Sequence, residues 1–130
     1  MQYLTPGHFF AVGAGAALGA WLRWVLAVWL NQPNGAMPWG TLVANLVGAY
    51  LVGLALGFFA TLPAMSPFWR LFIVTGLLGG LTTFSTFSAE TFVLLEEGRL
   101  AMAALYAGGS LLGSLILTFL GVLTVQYLRG

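Results

Sequence analysis

Gly76-Leu77-Leu78-Gly79-Gly80-Leu81-Thr82-Thr83-Phe84-Ser85-Thr86-Phe87-Ser88 sits in the middle of an apolar run from Phe68 to Leu95. Two adjacent glycines are followed by five hydroxyl residues within seven positions. Glycine costs roughly 1 kcal/mol against alanine inside a helix. Serine and threonine side chains compete for backbone hydrogen bonds and favour caps. The string therefore predicts a helix that ends around Gly79 and a new one that starts after Thr83. A continuous, kinked helix with back-bonded hydroxyls is the alternative, but paired glycines followed by cap residues favour the break. Non-helical backbone at membrane depth survives only when buried in protein or lining a wet cavity. Broken helices of this kind bind ions through freed carbonyls and half-helix dipoles.

The rest of the chain explains why membrane depth is the right frame. Of 130 residues, 60% are hydrophobic and 5% charged, where a soluble domain carries about 25% charged residues. A chain this short has too much surface to keep so few charges in water. Four apolar runs are long enough to span hydrocarbon at about 20 residues each: Phe9–Leu30, Trp39–Leu62, Phe68–Leu95 and Leu100–Leu128. Asn31-Gln32-Pro33-Asn34-Gly35, the stretch from Pro63 to Pro67, and Glu96-Glu97-Gly98-Arg99 separate them. Such short connections make antiparallel neighbours. The expectation is an all-α membrane protein, one transmembrane domain over residues 1–130, with four membrane-spanning helices and the third broken. Trp39, Trp69, Tyr3 and Tyr127 near run ends fit an aromatic belt. The first run is too long for the roughly 7–15-residue core of a signal peptide and no Lys or Arg precedes it. A net charge of +1 offers no basic face for nucleic acid. Without cysteine there is no disulfide or thiolate chemistry. No nucleophile–base pair or phosphate loop is present, so catalysis is not expected.

Charge and glycine both bear on assembly. With four crossings, Arg70 and Arg129 fall on one side, and Arg99 with Arg23 falls on or near the other. Loop arginines normally set orientation, and two against two sets none. The expectation is insertion both ways and pairing as an antiparallel, dual-topology homodimer. Gly15 and Gly19, Gly53 and Gly57, and Gly109 and Gly113 recur at four-residue spacing, which lets helix backbones approach closely. Four helices of one chain do not easily use that many close contacts, which also points to an oligomer.

Polar groups inside the runs are the functional candidates. Tyr106, Ser110, Ser114 and Thr118 are spaced by four and share one stripe of the fourth helix. They form a polar track for a solute, unless each hydroxyl bonds its own helix at i−4. Asn45, one turn after Thr41, needs partners in hydrocarbon. It is either glue between helices or a donor to a permeating ion. Arg23 lies about 10 Å from the end of its run at 1.5 Å per residue and would draw anions. Glu90 suits an interfacial or vestibule position, and His8 a surface one.

Three stretches resemble the bacterial fluoride channels of the Fluc or CrcB family. They are Gly40-Thr41-Leu42-Val43-Ala44-Asn45-Leu46-Val47-Gly48, Gly79-Gly80-Leu81-Thr82-Thr83-Phe84-Ser85-Thr86-Phe87-Ser88, and Gly19-Ala20-Trp21-Leu22-Arg23-Trp24. The resemblance covers essentially the whole chain. It implies an antiparallel dimer in the cell inner membrane, with two fluoride pores and passive fluoride export that lowers the cytoplasmic concentration. It implies a structural, untransported Na⁺ at the dimer centre, on the carbonyls of Gly79 and Thr82. Phe84 and Phe87 match the pore phenylalanines, Asn45 the pore asparagine, and Tyr106, Ser110 and Ser114 the polar track. Thr41 joins that lining set, and Arg23 matches the basic residue near the vestibule. The main alternative, a small dual-topology cation or drug exporter, needs a mid-membrane carboxylate in the first helix, where this chain has Arg23 and no acid. A non-transporting assembly subunit leaves the hydroxyl row and the break without a purpose.

Overall fold

Thr5 caps the first crossing, its Oγ1 accepting from the His8 amide at 3.2 Å, and Pro6 fills the first helical position, where a missing N–H costs nothing. The computed structural model describes residues 4–32, 35 and 37–130. Tyr3, and Pro33 and Asn34 of the first connection, lie outside the described residues. Among those described there is no strand. The helices are α1 (Pro6–Leu30), α2 (Trp39–Ala60), α3 (Pro67–Arg70), α4 (Gly79–Leu81), α5 (Ser85–Glu96) and α6 (Leu100–Arg129). A π-helical stretch, Leu71–Leu78, joins α3 to α4. Among the described residues, four segments are long and apolar enough to cross a membrane: Pro6–Leu30, Trp39–Ala60, Pro67–Glu96 and Leu100–Arg129. This is a multi-pass membrane protein.

The connections have chemical causes. Ser66 caps α3 by accepting from the Phe68 amide, with Pro67 at its start. Arg70 reaches back with one guanidinium nitrogen to the Phe59 and Leu62 carbonyls, at 3.3 and 3.2 Å. It thereby neutralises the negative end of α2. After α5, Gly98 takes φ 76°. Its amide donates to Leu95 and that of Arg99 to Leu94. This left-handed cap closes the orphan carbonyls.

The third crossing differs in detail from the sequence expectation. Its N-terminal half is π-helical, with the Gly79 amide donating to the Val74 carbonyl five residues back. Helix continues to Leu81, two residues beyond the expected end at Gly79. Thr82 is extended at φ −89°, ψ 155°, and helix resumes at Ser85. Thr82 prolongs the first half because its amide and its Oγ1 both donate to the Leu78 carbonyl, at 3.0 and 2.8 Å.

Packing is governed by glycine. α1 lies along the stretch from Leu71 to Leu81, and α2 along α6. A Cβ at Gly15 would meet Phe72 and Leu77 backbone; at Gly19, Leu77 and Leu81 backbone; at Gly53, Thr118 backbone. Gly57 backs onto Val125 and Gly113 onto Leu46, while Gly109 has no such neighbour. Five of the six spaced glycines thus serve contacts within one chain. The glycine argument for an oligomer lapses, because the close approaches of α1 to the third crossing and of α2 to α6 use them up.

This packing makes a sharp contrast testable. Gly19→Ala should lower unfolding stability in mixed micelles by about 1–3 kcal/mol, the usual range for overpacking. Gly108→Ala, which meets nothing within 4 Å, should cost no stability. Equal effects would mean that α1 can shift to accept a methyl group.

Candidate functional site

α2, the third crossing and α6 enclose a groove of about 530 Å³ near the middle of the spans. Its walls carry Asn45 from α2, Gly79, Thr82, Thr83, Phe84 and Phe87 from the third crossing, and Ser110, Ser114 and Thr118 from α6. Eight sequence candidates, Asn45, Gly79, Thr82, Phe84, Phe87, Ser110, Ser114 and Thr118, therefore meet in one place. Thr41, Tyr106 and Arg23 are not among the groove-lining residues.

Along the groove floor, backbone groups that a continuous helix would pair are diverted. The Thr83 amide, which helical geometry would send to the Gly79 carbonyl, donates to Asn45 Oδ1 at 2.7 Å. Asn45 Nδ2 donates to the Thr83 carbonyl at 3.2 Å. The Thr86 amide, which would close on the Thr82 carbonyl, donates to Thr83 Oγ1 at 3.1 Å. The Gly80 carbonyl accepts from Arg23 Nε at 3.1 Å. Gly79 and Thr82 are thus the two positions whose customary amide donors are engaged elsewhere. Hard monovalent and divalent cations favour such oxygen ligands, so this donor set fits a small hard cation. Among the described residues no group of three or more His, Cys, Asp or Glu is placed to hold a metal.

The hydroxyl row separates into different duties. Tyr106 is fully buried and its hydroxyl donates to Glu90 Oε1 at 2.9 Å. Thr118 Oγ1 donates across to the Ala49 carbonyl of α2 at 3.0 Å. Ser110 is 6% exposed, and its buried Oγ has no hydrogen-bond partner. Beside it, the Phe84 and Phe87 rings are 5.8 Å apart and tilted by 52°. Phe87 in turn meets the Tyr106 ring at 5.2 Å, while Phe84 is 79% exposed.

Glu90 is the residue whose part sequence reasoning left open. Oε2 accepts from Thr41 Oγ1 at 3.1 Å and from Asn31 Nδ2 at 3.2 Å. With Tyr106 on Oε1, one carboxyl ties the end of α1, the start of α2, α5 and α6 together. Asn31 Oδ1 also accepts from the Gly40 amide at 2.6 Å. Thr41, 1% exposed, is therefore a Glu90 donor rather than part of the groove wall. The signal for this node was a carboxyl inside an apolar run. Its partners lie 16 to 59 residues away, beyond any local pattern. Glu90 and Asn31 also line a second cavity of about 320 Å³, together with Glu97. Tyr106 bridges the two linings, its ring against Phe87 of the groove and its hydroxyl on Glu90 of this cavity.

The fold and site define a four-crossing α-helical membrane protein whose mid-span groove gathers hydroxyls, an amide and two phenylalanines. Comparison with known proteins narrows the class. Residues 10–122 match the family described as CrcB-like protein, Camphor Resistance (CrcB). The chain is 56% identical over 128 residues to the fluoride-specific ion channel FluC of Bordetella bronchiseptica, covering 98% of each chain. It is 58% identical over 128 residues to that of Bordetella pertussis, again covering 98% of each. With that of Ralstonia pickettii it shares 57% over 118 residues, 91% of this chain and 94% of the relative. The chain belongs to the CrcB-like family.

The Glu90 node predicts coupling. Tyr106→Phe and Thr41→Val should each lower stability by about 1–3 kcal/mol, the cost of leaving a buried hydrogen-bonding group without its partner. The double variant should depart from their sum by at least about 0.5 kcal/mol. Simple addition of the two losses in a thermodynamic cycle would show that Glu90 does not link them.

Proposed function

We propose that this chain is a passive fluoride channel of the cell inner membrane that lets fluoride leave the cytoplasm. The observation that carries the reading is Ser110 Oγ: a buried hydroxyl without a partner, on a residue that lines the same groove as Asn45, Ser114 and two phenylalanines. A buried polar group left unpaired costs about 1–3 kcal/mol, so the site favours a ligand that accepts a hydrogen bond. Fluoride is small, strongly hydrated and a strong acceptor. A pore must replace its lost water with several donors, each weak enough to let it go. Aromatic rings are positive at their edges, so Phe84 and Phe87 supply further anion contacts without a fixed charge. The names of the Bordetella and Ralstonia relatives, at 56–58% identity, support the same anion. The membrane potential, inside negative, favours anion exit by about 2.3 kcal/mol per 100 mV, so no energy coupling is required.

The working unit in this reading is an antiparallel homodimer, with two pores and a Na⁺ at its centre. Two observations support it. The groove leaves hydroxyls, an amide and the non-helical stretch around Thr82 and Thr83 at mid-span among apolar side chains, and non-helical backbone at that depth needs protein cover. The arginine count gives neither orientation an advantage. The carbonyls of Gly79 and Thr82 would hold the sodium ion, which would supply positive charge to oxygens that have lost their helical donors. Arg23, on the Gly80 carbonyl, places a further cation beside the same stretch.

Liposomes holding only this protein should release fluoride and retain chloride. Phe84→Ala or Phe87→Ala should slow fluoride release by about tenfold or more, equivalent to the loss of a contact of about 1.4 kcal/mol, while the protein still assembles. Absence of fluoride release from the wild type would sink the channel reading. Failure of either variant to assemble would assign its ring to packing. Reporters fused to the C-terminus should be found on both sides of the membrane, and a single orientation would end the dual-topology dimer.

A further inference from the structure

Two local bonds pull Thr82 back toward the helix before it, since its amide and its hydroxyl both reach the Leu78 carbonyl. One more helical residue would need only the Thr83 amide on the Gly79 carbonyl. That proton goes instead to Asn45 Oδ1, at 2.7 Å, and the same side chain returns a proton to the Thr83 carbonyl, at 3.2 Å. We propose that Asn45 is a positioning residue: its carboxamide pairs with both sides of Thr83, holds the third crossing open, and keeps the Gly79 carbonyl available to a small hard cation.

The residue type and its place both suit this task. A primary amide carries a donor and an acceptor side by side, so one short side chain can do what a neighbouring strand does for an extended residue. Reach is secured by Gly48, three positions further along the same face of α2. A Cβ there would overlap Thr82 Cγ2, so its absence lets α2 lie against the break. The opening is thus specified from another crossing, and the glycine pair alone does not produce it. Arg23 acts in the same sense from α1, occupying the Gly80 carbonyl. Asn45 lines the groove as well. Its amide has a second N–H, so holding the break does not exclude contact with an anion, and the two roles separate by experiment.

The inference rests on the carbonyl-cradle part of the channel reading, and the test distinguishes failure of one from failure of the other. Threonine labelled with ¹³C at Cα and Cβ reports backbone conformation at Thr82 in the purified full chain. Asn45→Leu removes both contacts, whereas Asn45→Asp keeps an acceptor for the Thr83 amide. Thr82 shifts should be extended in the wild type and in Asn45→Asp, and should move to helical values in Asn45→Leu. The rise in melting temperature on replacing N-methylglucamine with sodium should persist in Asn45→Asp and vanish in Asn45→Leu. Extended Thr82 shifts in Asn45→Leu would overturn the proposal, since the break would then need nothing from α2. Retained sodium stabilisation with reduced fluoride release in that variant would also overturn it, leaving Asn45 as an anion contact only. Helical shifts in Asn45→Leu without any sodium effect in the wild type would uphold the positioning role and remove the sodium cradle. Should Asn45→Leu not fold, Asn45→Ser, too short to span to Thr83, is read by the same shifts.

Discussion

Hydrocarbon offers no hydrogen bonds, so every amide and carbonyl at mid-span must find a partner within protein or a captured ion. Most of this chain meets that demand by being helical. The stretch from Gly79 to Thr83 does not, and much of the surrounding architecture answers it. Asn45 comes from α2 to pair with Thr83, Arg23 comes from α1 to the Gly80 carbonyl, and Thr83 Oγ1 receives the Thr86 amide. Three crossings thus contribute to one irregular segment. Such pairing is specific: a break held by named partners at Thr83, Gly80 and Thr86 is a defined element with a single geometry, where an unpaired kink would sample many.

That matching depends on distance, and distance depends on glycine. Arg23 reaches the Gly80 carbonyl because α1 rides on the third crossing with Gly15 and Gly19 facing its backbone. Asn45 reaches Thr83 because Gly48 leaves space for the Thr82 methyl group. In lipid, helices gain little by hiding apolar area from one another, and close packing takes over. The small residues therefore hold the elements of the groove at hydrogen-bonding range as well as holding the bundle together.

How much of this was legible in the sequence follows from the range of each signal. Apolar run length is a local property, and the four spans observed differ from the expected runs by at most three residues at an end. Proline and serine or threonine caps, and Gly98 after α5, are local too. The π-helical stretch over Leu71–Leu78 left no local signature. The extension to Leu81 depends on two donors from Thr82 to one carbonyl, which spacing alone does not reveal. The groove residues could be gathered by periodicity and family resemblance, but their partners could not. Thr41 stands one turn from Asn45 on the same face of α2, yet its hydroxyl donates to Glu90, an acceptor 49 residues away that no local spacing reveals. Glycine spacing was read as a sign of a partner chain, although antiparallel crossings of one chain satisfy nearly all of it.

The hydroxyls show why a polar residue in a membrane helix is not by itself a functional one. Thr82, Thr91 and Thr124 donate to the carbonyl four residues back in their own segments. Thr41 and Tyr106 serve Glu90, and Thr118 ties α6 to α2. Each of these donors is committed to structure and would cost a bond to redirect. Ser110 is different in kind: its hydroxyl is buried, yet it has no hydrogen-bond partner. Where satisfied hydroxyls are the rule, a withheld donor is a place where binding a mobile acceptor breaks no existing bond. In the proposed channel, an anion that needs several such contacts, each modest, would find them where the firm bonds of Asn45 and Arg23 have already fixed the walls. Rigidity of the break and weakness of the remaining donors are therefore complementary requirements for a pore that binds an ion and lets it leave.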